Sequence, residues 1–515
     1  MTTANTTITS KAAWSRQDQA AFLLAATLTV ARLFLGAALG LAQDEAHYWQ
    51  WSRHLDFSYY DQGPGIALCI RLGTLLFGDT PFGIRVVNTL LTAGTGWLAY
   101  RTAARWTNSQ VGLWAMVFLS VAPLLAVGGV LATYDSVQVF FWAAALYALT
   151  HTLQQEHAAG WYVVGALVGM GSLCKVTMLL FAPCVLLFLL LSPTYRKWLA
   201  TPHPYAAFTL ALLLFTPVAF WNARHDWVNL RHAAALTSRS RGAPPFRWFG
   251  EFLGGQAFAL GPFLFLAELF VLIRFTRRTP GIPDEARRFF GAFGAPILAL
   301  CLLMSLRSKL EINWPVPAHL AGLMAVAAWL HLALPTRFRT GLAAGFTVPA
   351  LLMSGAVFVP DVLPLIGVRS PVTAQKPLEP YGWSEIAARV QQERVSLERK
   401  GKPVFLAGTN YRVNSILGFY LPDRPEMVAL YLGTRRDQFG IWSRPQEHVG
   451  ENAILVLSEK DDEAERLARQ VFTRVEGAPS AVVTRPGFIG PIKDWRIFRG
   501  YGFRGYDPDR FADGY

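Results

Sequence analysis

The sequence predicts a polytopic α-helical membrane protein of about eleven spanning helices, followed by a small α/β segment. Three observations carry this. The 515 residues are 53% hydrophobic and 16% charged, whereas soluble domains carry roughly 25% charged residues. The deficit is uneven: apolar runs fill residues 21–360, while 371–515 have the composition of an ordinary soluble domain. Most Arg and Lys of the first part lie between apolar runs. A net charge of +13 on a soluble chain would suggest nucleic acid. With the cations placed at the ends of apolar segments, the bilayer and its anionic lipids are the expected partner instead.

Residues 1–20 are polar and show no small-residue cleavage site. They read as a cytoplasmic N-terminal segment, with the first span serving as the insertion signal. A span needs about 20 mostly apolar residues. Those that qualify or nearly qualify are 21–42, 84–100, 111–131, 135–150, 161–174, 176–192, 205–221, 249–273, 289–306, 316–334 and 341–359. The stretch 161–192 is too long for one span and is divided near Lys175, which is costly in lipid without a partner. Cys69, Cys174, Cys184 and Cys301 lie in or beside apolar segments and no CxxC occurs, so neither a disulfide framework nor a zinc site is expected.

With a cytoplasmic N-terminus, the inside loops hold Arg101 and Arg105, Arg196 and Lys197, five arginines in 274–288, and Arg337 and Arg339. That obeys the positive-inside rule and, with an odd span count, puts 371–515 on the extracytoplasmic side. Two outside loops break the rule: 222–247 with Arg224, Arg231, Arg239, Arg241 and Arg247, and 307–313 with Arg307 and Lys309. An anionic substrate would explain them; a solvated loop carried across by its neighbours would too. The first outside loop, 44–83, is aromatic, and Tyr48, Trp49, Trp51, Tyr59 and Tyr60 suit an interfacial helix over 44–54. In 371–515, KPVFLAG, MVALYL and NAILVL read as strands, and SEIAARVQQERVSLERK and DDEAERLARQVF as amphipathic helices.

Three places could carry chemistry. Asp44 and Glu45 stand where the first span meets the outer surface. There they can act as a base, a metal ligand or acceptors for sugar hydroxyls, or simply terminate a helix. Asp135 lies on the same predicted side, and helix capping explains it equally well. Lys175 stands inside a long apolar stretch, where a phosphate or a buried carboxylate is its natural partner and snorkelling is the alternative.

Several segments together resemble the bacterial branch of the protein mannosyltransferase-like family, which includes the aminoarabinose transferases of lipid A and has the membrane fold called GT-C. They are DEAHYWQWSRHLDFSYYDQGPG (44–65), FGIRVVNTL (82–90), LATYDSVQVFFWAAALY (131–147), GMGSLCKVTMLLFAP (169–183), TPVAFWNARHDWVNLRH (216–232), SLRSKLEINWPVPAHL (305–320) and NYRVNSILGFYLPDRP (410–425). The resemblance implies a GT-C glycosyltransferase domain over 21–360 and an extracytoplasmic α/β domain over 371–515, in a multi-pass protein of the bacterial inner membrane. The implied reaction moves a sugar from a polyprenyl-phosphate donor, with inversion, to an extracytoplasmic acceptor such as a lipid A or other lipopolysaccharide-type glycolipid, a polysaccharide or a protein hydroxyl.

It also implies roles. Asp44, Glu45 and Asp135 match the family's acidic catalytic residues, and Lys175 its lysine after the fifth span. Arg224, Arg231 and Arg241 would join Lys175 on the donor phosphate, and His47, Tyr48, Tyr60, Asp61 and Gln62 would line the substrate. Asp44 and Asp135 are also the candidate ligands of a divalent cation; no other cofactor is implied. The sequence departs from the family at 61–65, reading Asp-Gln-Gly-Pro-Gly where relatives often have Asp-His-Pro-Pro or Glu-Lys-Pro-Pro. Gln62 thus replaces a residue that can be basic. A flippase or transporter of an anionic lipid or glycolipid is the alternative reading, since it too needs buried cations on many spans.

Overall fold

In a computed structural model of the chain, the structure describes residues 14–238, 246–458 and 462–511. Helix α1 (Arg16–Ala38) starts at a capping box in which Ser15 and Asp18 each satisfy the other's backbone N–H. Short helices α2 (Gln43–Arg53) and α3 (Gly65–Phe77) follow in the first long loop. The bundle continues with α4 (Pro81–Trp106), α5 (Ser109–Val121), α6 (Pro123–Gly128), α7 (Tyr134–Gln154) and α8 (Gly160–Ser172). After a break at 173–175 and a 3-10 turn, α9 covers Phe181–Leu191, which places the interruption at Lys175. Then come α10 (His203–Arg224), α11 (Val228–Ser238), α12 (Arg247–Leu260), α13 (Pro262–Ile273), α14 (Asp284–Ser305), α15 (Val316–Ala328, running on as a π-turn to Ala333) and α16 (Thr336–Phe358).

This is a helical membrane protein. Among the described residues, five helices are long and apolar enough to cross a bilayer: α1, α10, α14, Val316–Ala333 and α16. Helices α12 and α13 make a sixth only as a broken pair, bent by 109°. The run 249–273 is therefore not the continuous span its composition suggests. Gly261 at φ 91° followed by Pro262 breaks it, because a left-handed residue and a missing N–H both interrupt the helical ladder.

Residues 371–511 carry α17 (Gln375–Leu378), α18 (Trp383–Glu398), β1 (Val404–Gly408), α19 (Tyr411–Tyr420), β2 (Val428–Ala429), β3 (Asn452–Ser458), β4 (Phe472–Thr484) and β5 (Pro491–Phe503). The sheet order is β2-β1-β3-β5-β4; β1 is parallel to β2 and β3, and the β4–β5 hairpin is antiparallel. One apolar core runs through the bundle. A second joins α2 and α3 to this sheet, through Trp49, Trp51 and Tyr59 on one side and Ile416, Leu417 and Leu430 on the other.

That second core corrects the reading of the aromatic loop as an interfacial belt. Trp49, Trp51 and Tyr59 have no exposed surface. Trp49 packs edge-on against Phe419 of α19, and Trp51 stacks on Tyr59. Burying an aromatic ring against a folded partner removes more apolar area from water than half-immersion at a headgroup layer. Composition did not reveal that a partner some 370 residues away exists.

Candidate active site

The site grows out of the start of α2. Glu45, the third residue of that helix, is 1% exposed and fully engaged. It accepts from the Ala42 and Ala132 backbone N–H groups at 3.0 and 2.9 Å, and from Arg85 Nε and Nη2 at 2.7 and 2.5 Å. The same guanidinium donates to the carbonyls of Gly36, Leu39 and Gly40, capping the end of α1. Glu45 and Arg85 thus lock α1, α2 and α4 together. Glu45, expected among the catalytic acids, has both oxygens engaged within the protein in this structure, as a positioning residue would.

Asp44, its neighbour, points about 100° away around the helix. It is half-buried and accepts from the Tyr411 hydroxyl of α19 at 3.1 Å. Burial, then the nearby Glu379 carboxylate, push its carboxyl above the usual aspartate range. Asp135, in the first turn of α7, faces the same space. Its two oxygens meet Lys175 Nζ at 2.7 Å and Asn313 Nδ2 at 2.5 Å. Lys175 is 5% exposed and lies 5.2 Å from the Tyr134 ring centre. The helix cap itself is Thr133, so Asp135 is left to pair with the lysine.

Asp61 is the third carboxylate. It lies 3.1 Å from His232 Nε2 and 3.9 Å from His47 Nε2. Tyr48 and Tyr134, with ring centres 5.5 Å apart, both stand in the field of Asp44, Asp61 and Tyr411. His47 is buried; Trp51 donates to its Nε2 and its Nδ1 meets Ser415 Oγ at 3.1 Å. Burial and the nearby Arg435 lower its pKa to about 3, so it is neutral and holds α19 against α2. The loop bearing Asp61 is pinned by Asn229 of α11, which donates to the Tyr59 and Tyr60 carbonyls at 2.5 and 2.8 Å. Gln438 accepts from the Tyr60 N–H at 2.7 Å.

The glycines of Asp61-Gln62-Gly63-Pro64-Gly65 have a steric cause. A Cβ on Gly63 would run into the Leu173 carbonyl, and one on Gly65 into Cys174 Sγ. Gly65 N donates to that same Leu173 carbonyl at 3.0 Å. The loop therefore lies directly on the break that presents Lys175.

The cleft thus gathers three carboxylates, one lysine and three phenols from five separate stretches of chain. Comparison with known proteins shows what this chain resembles. Residues 61–221 match the family described as dolichyl-phosphate-mannose-protein mannosyltransferase. A lipid A galacturonosyltransferase, RgtD of Rhizobium johnstonii, is 29% identical over 62% of this chain and 67% of its own length. An undecaprenyl phosphate-alpha-4-amino-4-deoxy-L-arabinose arabinosyl transferase of Pseudomonas aeruginosa is 26% identical over 64% of this chain and 60% of its own. The crystal structure of ArnT from Cupriavidus metallidurans in the apo state superposes with a TM-score of 0.63 at 14% identity, covering 93% of this chain and 98% of that one. The chain is thus similar to the aminoarabinose-transferase-like proteins and shares the GT-C fold.

Within this GT-C frame the other anticipated residues divide. Arg224 and Arg231 are exposed; Arg224 lies over the Phe220 ring, and neither is in hydrogen-bonding or ion-pair contact with the Lys175–Asp135 pair. Both were expected on the donor phosphate; here they are exposed, while the adjacent His232 is buried. Arg241 lies outside the described residues. The Gln62 side chain is half-buried, and its carbonyl accepts from Tyr59 N–H at 2.9 Å. Asp135 already accepts from Lys175 and Asn313, and among the described residues no three His, Cys, Asp or Glu stand together as a ligand group.

The structure also adds residues that sequence reasoning missed in the GT-C cleft: Tyr411, His232, Asn313, Arg435 and Asp437. Asp437 is 1% exposed, accepts from Tyr411 N–H at 2.7 Å and Tyr431 OH at 2.8 Å, and is pushed by burial to about 6. Tyr411, His232 and Asn313 lie inside stretches already recognised as family-like, but no single-residue signal marked them. Asn313 follows Ile312, whose carbonyl accepts from Gln256 at 2.9 Å in a network with His319 and Glu268 that is wholly buried between α12, α13 and α15.

Proposed function

We propose that this chain is a membrane glycosyltransferase that moves a sugar from a polyprenyl-phosphate donor to an extracytoplasmic lipid A-type glycolipid, with inversion at the anomeric carbon. The observation that carries this is the side-chain cluster itself: a nearly buried lysine paired with Asp135, with Asp44 and Asp61 gathered about the same tyrosine. Relatives of about this resemblance are named for lipid A galacturonosyl transfer and for undecaprenyl phosphate aminoarabinose transfer.

The polyprenol stays in lipid while its phosphate reaches Lys175. The acceptor oxygen attacks the anomeric carbon and the bond from that carbon to the phosphate oxygen breaks. The phosphate leaves with the electron pair, and the acceptor's proton, if it is a hydroxyl, passes to Asp44. An ionised phosphate acceptor needs no base, and Asp44 then orients the sugar. A fixed cation at the leaving group in a dry site contributes roughly a hundredfold or more in rate. Asp61 and the phenols accept and donate to sugar hydroxyls.

The finer placement belongs to the same reading. Helices α1, α4, α5 with α6, α7, α8, α9, α10, α12 with α13, α14, α15 and α16 make eleven crossings of the bacterial inner membrane. The N-terminus is then cytoplasmic and 371–515 form an extracytoplasmic domain over the cleft. A divalent cation shared by Asp44 and Asp135 is tested by EDTA: persistence of full activity removes it.

The experiment uses purified protein in lipid with radiolabelled polyprenyl-phosphate sugars and a membrane-lipid extract. Label should move to a glycolipid with the wild type and fall at least a hundredfold with Asp44→Asn for a hydroxyl acceptor. Label on protein would change the acceptor. Binding of donor with no transfer to any acceptor would move the reading to a lipid flippase.

A further inference from the structure

Most arginines of residues 371–511 have a carboxylate counter-ion: Arg389, Arg394, Arg424, Arg436, Arg485, Arg496 and Arg499 are all in ion pairs. Arg435 differs. It is half-buried, yet among the described residues no carboxylate lies within ion-pair distance of it. Its Nη1 is 3.1 Å from His232 Nδ1, and its guanidinium lies 5.9 Å from the Tyr411 ring centre. His232 Nε2 faces Asp61 at 3.1 Å. His232 thus stands between Arg435 and Asp61. Asp437, the nearest acid in sequence, has its oxygens taken by Tyr411 N–H, Phe439 N–H and Tyr431 OH. Arg412, exposed on the other side of Tyr411, donates through Nε to the Tyr411 hydroxyl at 3.2 Å and likewise has no carboxylate within ion-pair distance.

A basic side chain therefore stands at each end of the cluster. Lys175 stands at the bundle end, and Arg435, flanked by Arg412, at the end formed by the C-terminal segment. Asp44 accepts from Tyr411 and Asp61 lies 3.1 Å from His232, so both border the second end. A half-buried guanidinium without a counter-ion is costly to desolvate, and a planar fork of N–H donors suits a carboxylate. A polyprenyl-phosphate sugar presents only one anion unless the sugar itself carries a second.

The geometry points to a subsite in which Arg435, backed by His232 and Arg412, receives the carboxylate of a hexuronic acid, so that the donor is a polyprenyl-phosphate uronic acid and not a neutral or amino sugar. This rests on the donor-phosphate reading above, which places the first anion at Lys175. The chemistry of transfer is unchanged; the carboxylate makes no bond and serves to orient the pyranose with its anomeric carbon between Asp44 and the leaving phosphate.

The test compares full-length protein in lipid nanodiscs on two donors with the same polyprenyl phosphate, one carrying galacturonic acid and one galactose, with an aminoarabinose donor as third arm. The wild type should favour the uronyl donor by about a hundredfold in kcat/KM, because the unpaired guanidinium penalises a sugar that cannot answer it. Arg435→Gln should lose most of that preference by slowing the uronyl donor alone, and Arg435→Lys should recover part of it. Equal or better use of galactose or aminoarabinose by the wild type overturns the subsite while leaving the transferase reading intact, and needs no variant to fold. Equal loss on both charged and neutral donors with a raised KM for lipid acceptor overturns it too, by assigning Arg435 to an acceptor phosphate. No transfer from any donor sinks both readings.

Discussion

Asp44 and Glu45 are adjacent acids with opposite fates, and the helix between them decides which is which. Glu45 is closed into a pair with Arg85 in which both side chains are 1% exposed, so Glu45→Ala leaves a buried guanidinium without its anion. The expected cost is about 3–5 kcal/mol, read as a large drop in the melting temperature of the protein in detergent. Asp44→Asn should melt like the wild type. A Glu45→Ala protein that melts normally but is inactive would return Glu45 to a direct chemical role. Asp44 also sets a pH dependence. Its folded carboxyl holds a proton to higher pH than a free aspartate, from burial and from Glu379. With a hydroxyl acceptor the rate should fall as pH drops through that raised value, so the acid limb lies above 3.8. Glu379→Gln should move the limb toward lower pH; an unmoved limb would mean another group titrates. The sequence made the pair visible because acids at the end of an apolar run are costly there. It could not separate them, because that depends on Arg85 and Tyr411, which are distant in sequence.

At the scale of elements, the break between α8 and α9 is what presents Lys175, and the loop 61–65 is what supports the break. Gly63→Ala should drive a methyl group into the Leu173 carbonyl. Overpacking of this kind costs typically 1–3 kcal/mol, and here the strain falls two residues from the lysine. Transfer should drop at least tenfold with little change in donor binding measured separately. A fully active Gly63→Ala would show that the break tolerates displacement. The helical segments and the interruption at Lys175 were legible because hydrophobic run length and a lone buried charge are local signals. The bend between α12 and α13 was less so: Gly261 and Pro262 were in view, but the run around them is uniformly apolar. The long β4–β5 hairpin was also missed, since charged and small residues alternate through it without a clear apolar face. Arg224 and Arg231 looked equivalent to Lys175 by charge alone; only the fold shows that they are exposed where Lys175 is buried.

At the scale of the whole molecule, the cleft is a joint product of the bundle and of residues 371–511. Tyr411, Arg435, Asp437 and Gln438 come from the latter. A chain ending at 370 should insert and yet give no detectable transfer, measured by label movement in membranes. It should also be unstable, because Trp49 and Trp51 would face water. Retained activity would reduce the C-terminal segment to an accessory.

The core shared by α2 and α19 has a consequence for how the protein is made. His47 meets Ser415 across 368 residues of chain. At ribosomal speeds of about 5–20 residues per second, the interval between the emergence of these two partners is roughly 20–70 s. Through that interval the nascent polypeptide displays an unburied tryptophan face beside a membrane. Its yield in a cell should therefore depend on whatever chaperone or insertase shields α2 until α19 arrives, and slowing elongation late in the message should lower it.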